Sequence, residues 1–120
     1  MMNLLNSEPD DRVDFETDGS GGGFTRFYFG VRSMGTYMLP KGSRFMVVNS
    51  PNPFVHNESP LHEWRFIEFE ISKYRFLPHE PMTRSYKQVN ARSLNTEEVA
   101  RFEELRKRWR VQSFEIKIAS

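Results

Sequence analysis

Phe24-Thr-Arg-Phe-Tyr-Phe-Gly-Val-Arg32 is the stretch on which the fold turns. Side chains of a strand alternate between two faces. One face receives Thr25, Phe27, Phe29 and Val31, an apolar set suited to a core. The other receives Phe24, Arg26, Tyr28 and Arg32, with Gly30 between them. Before it stands Asp18-Gly-Ser-Gly-Gly-Gly23, a segment with few backbone restraints, and before that Arg12 to Thr17, where Val13 and Phe15 share a face. Strand, glycine-rich turn and strand predict an antiparallel hairpin.

The alternation continues downstream. Thr36 to Leu39 predicts a short extended piece, ended by a turn at Pro40-Lys41-Gly42. Arg44 to Asn49 predicts a strand with Phe45 and Val47 on one side. The segment 50–60 holds Pro51, Pro53 and Pro60 and predicts an irregular loop. His62 to Ile71 predicts the longest strand, with Ile67, Phe69 and Ile71 opposite Trp64, Phe66, Glu68 and Glu70. A second proline loop covers 77–85, and Tyr86 to Val89 predicts a short strand.

One helix is signalled at both levels of pattern. Asn95 and Glu98 have the spacing of a capping box, and Leu94 and Val99 that of a hydrophobic staple. Val99, Phe102, Leu105 and Trp109 recur at helical spacing. Beyond it, Phe114, Ile116 and Ile118 alternate within Ser113 to Ile118 and predict a final strand. The expected fold is α+β: a mostly antiparallel sheet of about five to six strands, a C-terminal helix packed on it, then that last strand. Residues 1–10 are expected to form a flexible acidic arm and residues 11–120 a single domain.

At 120 residues the chain holds a modest core, filled by eleven Phe, four Tyr and two Trp. It contains no cysteine, which excludes disulfides, thiolate catalysis and Cys-ligated metals, and suits a reducing, cytoplasmic setting. No apolar run approaches the length of a membrane span, and the N-terminus lacks a secretory pattern, so no membrane association is expected.

The net charge of +1 conceals segregation. Residues 1–18 carry −5, whereas residues 19–57 carry +4 with no carboxylate. A protein this close to neutral exerts no long-range pull on nucleic acid, so any attraction must come from a local patch. The best such patch is Arg26, Tyr28 and Arg32 on the outer face of the aromatic strand, extended by Lys41 and Arg44 from the next hairpin. Guanidinium groups beside aromatic rings can hold phosphate and stack flat rings. Twelve arginines against five lysines favour planar, two-pronged contacts.

Other constellations are weaker. The glycine loop at 18–23 precedes a strand rather than a helix, so it lacks the geometry of a phosphate loop. His56, His62 and His79 lie near Glu58, Glu63 and Glu80 without a recognisable ligand spacing, and no metal is expected. Glu68 and Glu70 share a strand face and form a possible carboxylate pair, with Arg65 or Arg75 expected across the sheet. Glu115-Ile-Lys117 has the spacing of a nuclease strand, for which Asp14 would be the needed aspartate.

Leu39-Pro-Lys-Gly-Ser-Arg-Phe-Met-Val-Val48, with Ile67-Glu-Phe-Glu-Ile71, resembles the late sheet strands of ADP-ribosyltransferases. That family carries its catalytic glutamate just before the Leu-Pro-x-Gly turn, where Ser33 to Met38 has no acid. Arg26-Phe-Tyr-Phe-Gly-Val31 is similar to the aromatic strand of RNA-recognition motifs, without their glycine after the first basic residue. Neither resemblance assigns a family.

The expectation from sequence is a small, non-enzymatic binding module. It requires no cofactor, and its ligand is a nucleotide or single-stranded nucleic acid. The alternative is an inhibitor, adaptor or assembly subunit that acts through protein contacts and self-association, a homo-oligomer. A small enzyme using Glu68 and Glu70 comes third.

Overall fold

The computed structural model describes residues 3–17, 23–31, 39–52, 62–75 and 83–119. It has β1 (Val13–Thr17), β2 (Gly23–Phe29), β3 (Arg44–Asn49), β4 (Arg65–Arg75), β5 (Thr83–Ser93) and α1 (Thr96–Ala119). The architecture is α+β. All strand pairs are antiparallel, and the sheet order follows the chain, β1-β2-β3-β4-β5. Chain contacts form two compact units. Glu8–Ser93 contains the whole sheet, and Met1–Ser7 with Leu94–Ser120 contains the helix.

The predicted hairpin sets the register of β1 and β2. Thr17 faces Gly23, Asp14 faces Arg26 and Val13 faces Phe27. A strap before β1 continues this ladder. The Asp10 amide donates to the Tyr28 carbonyl at 2.7 Å, and the Tyr28 amide donates to the Arg12 carbonyl at 3.3 Å. The Val31 amide then donates to the Asp10 carboxylate. β2 stops at Phe29 because Gly30 takes φ 80°, a left-handed conformation that breaks the pleat. Gly42 takes φ 89° in the Pro40–Ser43 turn, closed by the Ser43 amide on the Pro40 carbonyl at 3.1 Å. The Gly42 amide and Ser43 carbonyl then pair with Ile71, which ties the turn to β4.

Both faces of β2 are largely buried, so the Tyr28 face is not the open surface that the sequence left as one alternative. On one side lie Phe27, Phe29, Val48 and Phe66, each at most 3% exposed. On the other, Phe24 and Tyr28 are 7% and 6% exposed. Tyr28 clusters there with Val31, Phe45, Val47 and Ile71. Aromatic residues alternate onto both faces of β2, and each face gains from leaving water.

β5 is eleven residues long rather than four. Its sequence is polar, and residues 86–90 are all exposed. Backbone pairing with β4 makes it a strand, not a buried apolar stripe. β4 likewise starts later than expected, at Arg65, and runs on to Arg75.

The capping box forms as the spacing predicts. The Asn95 side chain accepts from the Glu98 amide at 2.9 Å, and Glu98 accepts from the Asn95 amide at 3.1 Å. Phe102 and Leu105 form the buried stripe at 0% and 8% exposure. Arg101 donates to the carbonyl of the fully buried Leu4 at 2.9 Å, tying that residue to the helix. The final strand is replaced by helix, because α1 continues through Ser113 to Ile118. No Gly or Pro follows Asn95 to stop it. An extending helix satisfies its own backbone, whereas a new strand needs a sheet edge.

Candidate functional site

The sheet register assembles one cleft on the Tyr28 face. Arg26 faces Asn49 and Tyr28 faces Val47 across β2 and β3, while Phe45 faces Phe69 across β3 and β4. Tyr86 comes from β5, opposite Ile71. Arg12 arrives on the strap, with its guanidinium 4.3 Å from the centre of the Tyr28 ring. Together these residues line a cleft of about 240 Å³.

The two sides of the cleft differ chemically. The strap and β2 supply charge. Arg26 lies 5.2 Å from the centre of the Phe24 ring and hydrogen-bonds the Tyr28 phenol. Arg12 also pairs with Asp14, at 3.6 Å. The partners of that pair are 32% and 40% exposed, so water screens it strongly. β3 to β5 supply flat rings. Phe45 and Phe69 stack at 5.3 Å and 24°, and Tyr86 meets Phe45 edge-on at 5.4 Å and 90°. Tyr86 remains 49% exposed, leaving ring surface open to a ligand.

Asn49 sits between the charged and aromatic sides. It is 8% exposed, and its Oδ1 is buried without a hydrogen-bond partner. A buried acceptor left unpaired costs about 1–3 kcal/mol. The cleft therefore retains an unused polar group beside Arg26.

Burial pushes the Tyr28 phenol above its ordinary pKa, against the opposing pull of the Arg26 hydrogen bond and of the Arg12 and Arg26 charges. Below the ordinary tyrosine range both folded and unfolded states keep the proton, and the stabilisation is fully present. As pH rises through that range the unfolded chain ionises first, and stability falls until the folded phenol ionises too. Urea midpoints of the wild type should therefore fall more steeply above about pH 10 than those of Tyr28→Phe. Parallel declines would contradict this assignment.

The residues singled out from sequence divide by face. Arg26 and Tyr28 both line the cleft. Lys41 is exposed in the Pro40–Ser43 turn. Arg44 projects from β3 on the face opposite Phe45, 57% exposed, 3.8 Å from Glu68 and 3.9 Å from Glu70. Arg32 lies outside the described residues, as do His56, His79, Glu58, Glu80 and the loop 18–22. Arg44 answers the Glu68/Glu70 pair, and the Arg75 side chain lies outside the described residues. Arg65 instead binds Glu63 at 2.9 Å. His62 is exposed. Glu115 and Lys117 lie on α1, so their strand spacing is not realised.

Sequence reasoning missed Arg12, Asn49, Phe69 and Tyr86 as site residues. Arg12 had a usable signal. A hairpin closed symmetrically over the glycine loop sets residue 12 against residue 28. Tyr86 had none, because β5 has no apolar periodicity. Comparison with family models, with curated proteins and with solved structures finds no match. Among the described residues no helix is long and apolar enough to cross a membrane.

Proposed function

We propose that this domain binds a phosphate-bearing ligand with a flat ring: a nucleotide, or one nucleotide unit of a single strand. The supporting observation is the convergence of Arg12 and Arg26 on an aromatic cleft whose lining, among the described residues, contains no carboxylate. The guanidinium groups are held over the Tyr28 and Phe24 rings, so little freedom is lost when they grip an anion. The open ring of Tyr86 offers a stacking surface on the other side.

Size points to a small ligand. About 240 Å³ lies below the roughly 300–1,000 Å³ of drug-sized pockets, so one ring and one phosphate fill it. A longer strand would continue outside the cleft. The gathered side chains suit binding rather than turnover: arginines, an amide, apolar residues and a phenol whose ionisation is suppressed. The lack of cysteine agrees with work in a reducing cytoplasm.

The test is calorimetric titration with adenosine monophosphate, adenosine, inorganic phosphate and a short single-stranded oligonucleotide, at low and high salt. The monophosphate should bind more tightly than either of its parts, and salt should weaken it. Tyr86→Ala should lose about 1–3 kcal/mol of binding, the worth of one stacked base. Absence of saturable binding by both the monophosphate and the oligonucleotide at low salt would refute the reading.

A further inference from the structure

Among the described residues that line the cleft, Arg12 and Arg26 can only donate hydrogen bonds, and the Tyr28 phenol already takes one from Arg26. Phe45, Val47 and Phe69 offer neither donor nor acceptor. Asn49 differs from all of them. It is 8% exposed, and its Oδ1 is buried without a hydrogen-bond partner. Asn49 alternates onto the same face of β3 as Val47 and Phe45, so its amide belongs to the cleft and not to the core behind the sheet. Arg26 does not supply the missing donor, because its guanidinium is engaged by the Tyr28 phenol and the Phe24 ring. An apolar residue at this position would avoid the cost of a buried, unpaired oxygen. An acceptor kept at that cost gains when a donor arrives with the ligand.

The sheet register decides which part of a nucleotide Asn49 meets. Asn49 stands directly across from Arg26 on the β2–β3 pair, beside the proposed phosphate grip. The open Tyr86 ring enters from β5, two strands further along the sheet. With the phosphate on the arginines and the base on Tyr86, the group next to Asn49 is the sugar. In one unit of a strand the 3′ oxygen is esterified and carries no proton, which leaves the 2′-hydroxyl as the donor of the sugar. Resting on the nucleotide reading of the cleft, we infer that Asn49 accepts a hydrogen bond from a ribose 2′-hydroxyl, so that the site selects ribonucleotides over deoxyribonucleotides. The arginines grip the phosphate of either kind. Asn49 supplies the preference, because the deoxy sugar leaves its oxygen unpaired.

The experiment is calorimetric titration of the full chain with adenosine monophosphate and with 2′-deoxyadenosine monophosphate, repeated on Asn49→Leu. The wild type should bind the ribonucleotide about tenfold more tightly, the worth of one hydrogen bond to a buried acceptor. Asn49→Leu keeps a branched side chain without the acceptor, and should bind the two nucleotides equally. Tyr86→Ala should weaken both and leave their ratio unchanged, since stacking is blind to the sugar. The wild-type comparison needs no substitution, so it decides the matter even if Asn49→Leu does not fold. Equal wild-type affinity for the two nucleotides overturns this inference and leaves the nucleotide reading standing. A ribonucleotide preference that survives in folded Asn49→Leu overturns it as well. Binding of neither nucleotide overturns both.

Discussion

If the proposed reading holds, Arg26→Ala should lower the affinity for adenosine monophosphate by about 1.5–3 kcal/mol, roughly ten- to a hundredfold, the worth of a charge-assisted hydrogen bond. The position of Arg26 explains why one residue has this effect. It lies midway along β2, with Asn49 across the strand pair, the Tyr28 phenol as a hydrogen-bond partner and the Phe24 ring beneath it. Its guanidinium is thus held before a ligand arrives. Arg26→Lys keeps the charge but loses the planar fork and the ring contact, so it should recover only part of the affinity. Calorimetry on the three proteins decides the matter. If Arg26→Ala binds as tightly as wild type, the phosphate is not held here.

Phe27→Ala should damage stability severely, although Phe27 is the next residue along. Phe27 is fully buried on the opposite face, between Val13 on β1 and Val48 on β3. Truncating a buried Phe costs about 3–5 kcal/mol, through lost transfer energy and the cavity left behind. Domains of this size are stable by only about 5–15 kcal/mol, so the loss takes a large share. Phe27→Leu fills most of the volume and should cost less than about 1.5 kcal/mol. Urea denaturation should show a large drop in midpoint for the alanine variant and a small one for leucine. A midpoint for Phe27→Ala near that of wild type would mean that the β2 core packs differently. Arg26→Ala in the same assay should shift far less, because its side chain is only partly buried.

These neighbouring residues also show where sequence reading succeeds. Local signals were sufficient for the β1–β2 hairpin, β3, most of β4 and the capped start of α1. Period-two alternation, glycine and proline turns and the Asn95/Glu98 spacing each act within a few residues. Such signals report the cheapest local conformation, and tertiary packing leaves it unchanged when no rival element competes. β5 was visible only in part, since an edge strand held by backbone pairing needs no apolar pattern. The end of α1 was misread because alternation at Phe114, Ile116 and Ile118 fits a strand, while nothing in the chain stops the helix.

The site was legible in the same uneven way. Arg26 and Tyr28 were found because they alternate on one strand. Arg44 was grouped with them by proximity in sequence, but the β3 pleat turns it toward Glu68 and Glu70 on the other face.

By itself, the sequence determined the α+β class, the hairpin, the helix cap and the separation of Arg26 from Phe27. Those depend on turn chemistry and on alternation along one strand, which are local. Only the tertiary structure decided that the Tyr28 face is buried, that Arg12 covers it, and that Asn49, Phe69 and Tyr86 complete a cleft. The physical reason is that cross-strand neighbours are chosen by pairing over long sequence separations. Residue 26 meets 49, and 45 meets 69, because hydrogen-bonded strands share a face.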